Sequence, residues 1–459
     1  MSTFVSARNP GQDKPHNQSP FHLEQPPNIT YTIHSPGHSI PMSNTTQKPF
    51  TITIIGGGIG GLILAVGLLR RNVPVQIYEA AFSFTEIGLG LSIGPAAHRA
   101  MPLIDPQIQN IYDSLITTHA DSPDYEGYRQ TWFEIVWASG LKEGDPLMDL
   151  KALPSGQTTL RRADFLDALV GLVPADIVHF GKRLDGLFEG EEGVQLWFDD
   201  GTKVNADVKS MVKELMLEEE RTKPRYSGMY GYRAVLDMKD MVDAVGEQRA
   251  KVSTMYIGHG AYAISYPIMR AQKVNVGVYI LSDDEWDCDT WVRKAKREDM
   301  LLDTENMGRY VKSLVERMPD PSQWAIFEHP HISTFAKSRV AILGDAAHAS
   351  TPHQGAGAGQ AIEDAHVLSE LLDDSCIKFA KDVVAAFKAY DEVRRPRSQR
   401  VVTSSKENAY LLCLCMDGVG DNEAKLKDTF QQHLHWLWDL DVQGQVEEAR
   451  EKMAGYLES

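Results

Sequence analysis

Two glycine-rich stretches hold the residues best placed to do chemistry. In the first, Gly56-Gly57-Gly58-Ile59-Gly60-Gly61 satisfies G-x-G-x-x-G, and Glu79 follows eighteen residues after Gly61. Gly56 suits a tight turn, Gly58 lets a pyrophosphate approach the backbone, and Gly61 lets a helix pack on a strand. A carboxylate at the distance of Glu79 can bond a ribose diol. In the second stretch, residues 339–365 read RVAILGDAAHASTPHQGAGAGQAIEDA. Asp345 ends an apolar run and faces a loop in which Gly355, Gly357 and Gly359 carry no side chain to hold a ligand off the backbone. The free N–H groups of a helix that follows favour negative charge there. The first stretch points to a dinucleotide without separating FAD from NAD.

The elements that must position these residues can be read from the periodicity. Residues 51–55 form an apolar strand, 62–71 a helix and 75–78 a second strand. Residues 340–343 form another buried strand, and a helix begins at Gln360 with Ile362, Ala365, Leu368 and Leu372 on one face. Between the two stretches the pattern turns to β. Residues 128–139 read as a strand, 177–205 as an antiparallel meander, and 261–280 as two strands joined at Arg270 to Gln272. An amphipathic helix at 307–318 and a strand at 324–327 lead back to the cofactor domain. Helices at 383–393 and 394–410 open the C-terminal part.

The run GDAAHASTPHQGAGAGQAIEDA, from Gly344, resembles the GD motif of FAD-dependent aromatic-ring monooxygenases with the para-hydroxybenzoate hydroxylase fold, and is most similar to the fungal salicylate hydroxylase-like branch. The likeness implies Asp345 as a ligand of the ribityl chain, with Gly357 and Ala358 beside the isoalloxazine. Residues 86–95 (EIGLGLSIGP) resemble a family loop that lies along the flavin, which puts Ser92 at a backbone contact. Residues 160–166 (LRRADFL) resemble an element whose Arg contacts FAD, here Arg162; a pair with Asp164 or a plain surface charge is the alternative. Residues 225–233 (RYSGMYGYR) resemble a strand that brings an Arg to the active site, here Arg233, with Tyr230 and Tyr232 on the opposite face; a structural tyrosine-rich strand with a solvated Arg is the alternative. Tyr266-Pro267-Ile268 resembles a segment lining the substrate pocket, so Tyr266 either orients a phenol or packs the sheet. Residues 390–397 (YDEVRRPR) complete the likeness.

The resemblance implies an α/β fold: a Rossmann-like FAD-binding domain, an inserted α+β substrate domain built on an antiparallel sheet, and a helical C-terminus. The expected division is a disordered extension at 1–48, an FAD-binding domain at 49–212 and 330–372 with a strand excursion near 128–139, a substrate domain at 213–329, and C-terminal helices at 373–459. The implied activity is a single-component monooxygenase that consumes NADPH or NADH and molecular oxygen. It hydroxylates a small phenol or aromatic acid, salicylate-like or a fungal aromatic polyketide, through a flavin C4a-hydroperoxide. One departure stands against it. The family has an apolar strand and an Asp-Gly turn after Val208, and the chain reads NADVKSMVKELML there. A missing strand would leave backbone groups unpaired at about 1–3 kcal/mol for each buried group. An impaired flavin-binding relic is therefore an alternative, as is a flavin dehydrogenase or reductase on the same fold.

Composition sets the remaining bounds. The chain has 459 residues, enough for two or three domains, and a formal net charge of −17. That charge opposes binding to nucleic acid or an anionic membrane. The four cysteines form no disulfide framework, and Cys413-Leu414-Cys415 has the wrong spacing for a zinc knuckle, so no metal site is expected. No signal peptide is visible, and a cytoplasmic enzyme is expected; Met42 is a second candidate start. The glycines at 56–61 argue against a membrane span for the uncharged run at 51–69. The oligomeric state is not legible.

Overall fold

The computed structural model describes residues 47–84, 90–119, 123–190, 193–210, 216–217, 223–319 and 321–458. Most of the expected disordered extension and the first part of the flavin loop, residues 85–89, lie outside the described residues. Lys48, placed in that extension from the sequence, is anchored: its Nζ donates to the carbonyls of Asp374 and Ile377, each at 2.7 Å.

The strand Ile52–Ile55 is sunk in the middle of a six-stranded sheet, which is why three of its four residues are isoleucines and the fourth, Thr53, is buried. The sheet order is 336–337, 340–341, 208–210, 52–55, 75–78, 178–179. The helix Ile59–Arg70 crosses over one face, and the helix Gly357–Asp373 packs against it. The strand expected to be missing is present. Val208–Ser210 pairs in parallel with Ile52–Ile55 on one side and with Val340–Ala341 on the other, so the sheet has no gap. Asp207 fixes the entry by accepting a hydrogen bond from Thr51 N at 2.9 Å. Met216 and Leu217 then return to the core behind the sheet.

A second sheet of eight strands runs in the order 292–294, 322–328, 225–237, 273–281, 261–268, 254–258, 131–137, 146–151. It is antiparallel except where 254–258 lies parallel to 131–137. The strand at Ser322–Glu328 belongs to this sheet, where it pairs with Arg225–Asp237. The strand Thr131–Trp137 is also an integral member of it. The meander appears as three strands, Leu184–Gly190, Gly193–Phe198 and Lys203–Ala206. A small sheet sets Gly90–Ser92 against Thr158–Arg161.

The C-terminal part differs from expectation in one respect. The two helices expected on either side of Arg394 are one, Val383–Leu412, which continues through Pro396. Proline removes one backbone donor and crowds the preceding turn. Here side-chain anchors flank it: Arg394 is fully buried in an ionic cluster, and Arg397 donates to Glu363 at 2.7 Å.

Candidate active site

A cavity of about 630 Å³ lies between the ends of the parallel strands and the inner face of the eight-stranded sheet. In open parallel sheets ligands bind outside the carboxyl ends of the strands, and the first glycine stretch lies there. Gly56, Gly58 and Gly61 line the cavity. Gly56 has φ +99°, a conformation that suits glycine. A Cβ on Gly61 would sit 2.2 Å from the Gly56 carbonyl, so helix and turn touch only because none is there.

The second stretch forms the facing wall. Gly344 has φ +59° and turns the chain into Asp345, which begins a short helix and lines the cavity. Gly357 and Ala358 open the helix Gly357–Asp373 at the same wall. Ser92 lines it too, with its hydroxyl donated to the Thr158 carbonyl at 3.1 Å. Arg162 lines the cavity at the start of its helix. The pair with Asp164 that was open for it belongs to Arg161, whose Nε donates at 2.9 Å. Glu79 stands apart from the cavity wall. Its carboxylate accepts from Gly57 N at 2.6 Å and Ala81 N at 2.8 Å, and the Phe84 ring packs over Gly57.

The far wall is aromatic. Tyr262 and Tyr279 stack with centroids 4.9 Å apart, and the Arg233 guanidinium lies 5.8 Å from the Tyr279 centroid. Strand alternation does this: the Tyr230 and Tyr232 hydroxyls leave by the other face and donate to Asp303 at 2.8 and 2.6 Å. Tyr279 raises the proton affinity of Arg233 and outweighs the opposing effect of burial, so the guanidinium is a fixed positive charge. Tyr266 contributes its ring to the wall, while its hydroxyl donates to the Gly90 carbonyl at 3.1 Å and braces the flavin-side loop.

Three lining residues were not singled out from the sequence. His353 is buried, and its Nδ1 lies 2.6 Å from the Tyr262 hydroxyl. Burial, with the positive charge of Arg233 behind it, lowers its pKa to about 3, so the ring is neutral at pH 7. Its Nε2 has no hydrogen-bond partner among the described residues. Gln157 is buried with neither amide atom partnered among the described residues. Tyr262 is the third. Only His353 carried a signal, as the one titratable side chain between Asp345 and Gly355 besides His348.

These features suit FAD. A glycine cradle for a pyrophosphate, a carboxylate and a helix N-terminus beyond it, and an unpartnered buried amide share one continuous cavity with an aromatic end. The family model described as "FAD binding domain" matches residues 296–405. The 6-methylsalicylate 1-monooxygenase of Aspergillus terreus is 36% identical over 90% of this chain and 94% of its own length. The chain belongs to the FAD-dependent aromatic-ring monooxygenases. A salicylate hydroxylase of Pseudomonas putida is 35% identical over 88% of the chain and 95% of its own. A solved structure described as a salicylate hydroxylase substrate complex superposes with a TM-score of 0.78 at 30% identity, covering 88% of this chain and 98% of that one. This monooxygenase thus uses FAD, with NAD(P)H as reductant, to hydroxylate an aromatic substrate with oxygen. Among the described residues no helix is long and apolar enough to cross a membrane, and no group of side chains could hold a metal ion.

Proposed function

We propose that this monooxygenase acts on a small aromatic hydroxy acid of the salicylate type. The observation that carries the reading is the pairing of a fixed cation, Arg233, with a neutral buried imidazole, His353, in one aromatic-walled cavity. A carboxylate needs a positive partner when it leaves water, and Arg233 can supply one. A phenolic O–H that leaves water needs an acceptor, and His353 has a nitrogen unpartnered among the described residues whose opposite ring atom is held by Tyr262. The stacked tyrosines and Phe133 hold the ring flat and keep water away.

FAD would be held by Gly56, Gly58 and Gly61 at its pyrophosphate, by Asp345 at the ribityl chain and by Gly357 and Ala358 at the flavin, with Ser92, Arg162 and Gln157 alongside. Glu79 would brace the adenosine end through the Gly57 amide. When bound, FAD supplies the redox chemistry: it takes a hydride from NAD(P)H and activates oxygen for electrophilic delivery to the ring. The protein's share is to place the ring, hold the carboxylate at Arg233, and accept a hydrogen bond from the phenolic O–H at His353 Nε2. The phenolate is the more electron-rich form of the ring, and the nearby guanidinium favours its charge. The amides at the start of Gly357–Asp373 favour negative charge on the cofactor.

The test is a titration of the FAD-loaded enzyme with 2-hydroxybenzoate and with phenol, read by the change in flavin absorbance and by NAD(P)H consumption. The hydroxy acid should bind at least about tenfold more tightly than phenol, and Arg233→Gln should remove most of that difference. Equal binding of both compounds, unchanged by R233Q, would reject an acid substrate and favour a neutral aromatic polyketide.

A further inference from the structure

Behind the flavin wall lies a group of buried charges that the reaction does not touch. Glu363 and Asp364 sit on the helix Gly357–Asp373, 2% and 0% exposed, and Arg394 from the long helix reaches between them at 0% exposure. Its Nε donates to Asp364 Oδ1 at 2.8 Å and its Nη1 to Glu363 Oε2 at 2.6 Å and Gln445 Oε1 at 3.1 Å. Its Nη2 donates to the Gln360 carbonyl at 3.2 Å and to Gln360 Oε1 at 2.9 Å. Arg397 closes the far side on Glu363.

Asp364 differs from Glu363 in where its second oxygen points. Oδ2 accepts from Gly344 N at 2.9 Å and contacts His348 Nε2 at 2.6 Å. Those two residues bracket Asp345. A buried ionic group is an inefficient way to stabilise a helix pair, since apolar side chains of equal volume often do as well. A carboxylate does what they cannot. It accepts in two directions, here from a fixed guanidinium on one side and from the amide of a left-handed glycine on the other.

We propose that Asp364, itself held by Arg394, is a positioning residue that fixes the Gly344–Asp345 turn relative to the start of its own helix, and so sets how tightly the flavin is gripped. Asp345 and Gly357 belong to different segments, the short helix Asp345–His348 and the helix Gly357–Asp373, joined by residues 349–356. Asp364 ties them, because it lies on the helix that Gly357 opens and bonds the residue before Asp345. The proposal rests on the reading that Asp345 contacts the flavin.

The experiment is an FAD titration of the full-length chain stripped of FAD, read by quenching of free FAD fluorescence and by the absorbance of the bound flavin. Thermal unfolding of the FAD-free chain is followed in parallel. Asp364→Asn should weaken FAD by about tenfold or more and shift the flavin bands. Glu363→Gln makes the same chemical change one residue away, and also costs a bond to Arg394, but leaves Gly344 alone. It should lower the melting temperature while FAD affinity stays within about twofold. Equal weakening by both variants, or no weakening by D364N, overturns the proposal. Asp345→Ala separates the two layers: if D345A leaves FAD affinity unchanged, the reading beneath the proposal falls. If it weakens FAD and D364N does not, the proposal alone falls. Should D364N fail to fold, His348→Asn removes one bond to the same oxygen; a smaller loss of FAD affinity is expected, and no loss overturns the proposal.

Discussion

His353 shows what a single side chain gains from burial. In the unfolded chain an imidazole takes up its proton near its ordinary pKa of 6.5, whereas His353 in the folded protein holds off until about 3. Between those values the unfolded state binds more protons, so stability falls as pH drops from about 6.5 towards 3. His353→Asn should flatten that part of the stability profile, measured by urea unfolding at pH 7 and pH 5. The same variant should lower kcat by about tenfold near neutrality, because the acceptor that orients the phenolic O–H is lost. The loss should shrink at a pH high enough for the substrate to ionise unaided; a loss that is constant with pH would assign His353 to packing alone. The roles of individual residues were unevenly legible in the sequence. The glycine fingerprint and the Gly344-Asp345 pair work through neighbours along the chain, so spacing disclosed them. The setting of His353 depends on Tyr262, 91 residues away, and on Arg233, which no local pattern connects to it.

Among the elements, Val208–Ser210 is the least evident from sequence and the one with most depending on it. Three residues, two of them polar, carry no strand signature. Strands on both sides impose the conformation, and the same holds for the passage of Val383–Leu412 through Pro396. Local propensity yields wherever neighbours supply enough contacts. The elements with strong periodicity, such as the Gly357–Asp373 helix and the paired strands at 261–268 and 273–281, were legible because each buries one apolar face or is buried outright. Lys209→Pro removes a backbone donor from a strand with partners on both sides. It should destabilise the chain by about 1–3 kcal/mol in urea unfolding and lower the yield of FAD-loaded protein. An unchanged urea midpoint would mean that the sheet does not need this strand.

At the scale of the whole molecule, a net charge of −17 surrounds a cavity lined by Arg233 and Arg162. An anionic substrate is repelled at long range and held at short range, and salt screens the first more than the second. The kcat/KM for 2-hydroxybenzoate should therefore rise from low salt to about 0.15 M salt, while that for a neutral phenol stays level. A fall with salt would show that the local arginines govern approach as well as binding. The long helix Val383–Leu412 spans both halves of the site. Near its middle Arg394 grips the cluster behind the Gly344–Asp345 turn. About three turns on, Ser405 donates to the Thr351 carbonyl at 2.6 Å, and about four turns on, Asn408 Nδ2 donates to the His353 carbonyl at 2.6 Å. Just past its end the Cys413 carbonyl accepts from Gly260 N, next to the aromatic sheet. A stiff rod clamped at both places is a crossbar. The grip on cofactor and the grip on substrate are then two readings of one alignment, and whatever factor the first ligand adds to the affinity of the second, the second must return to the first.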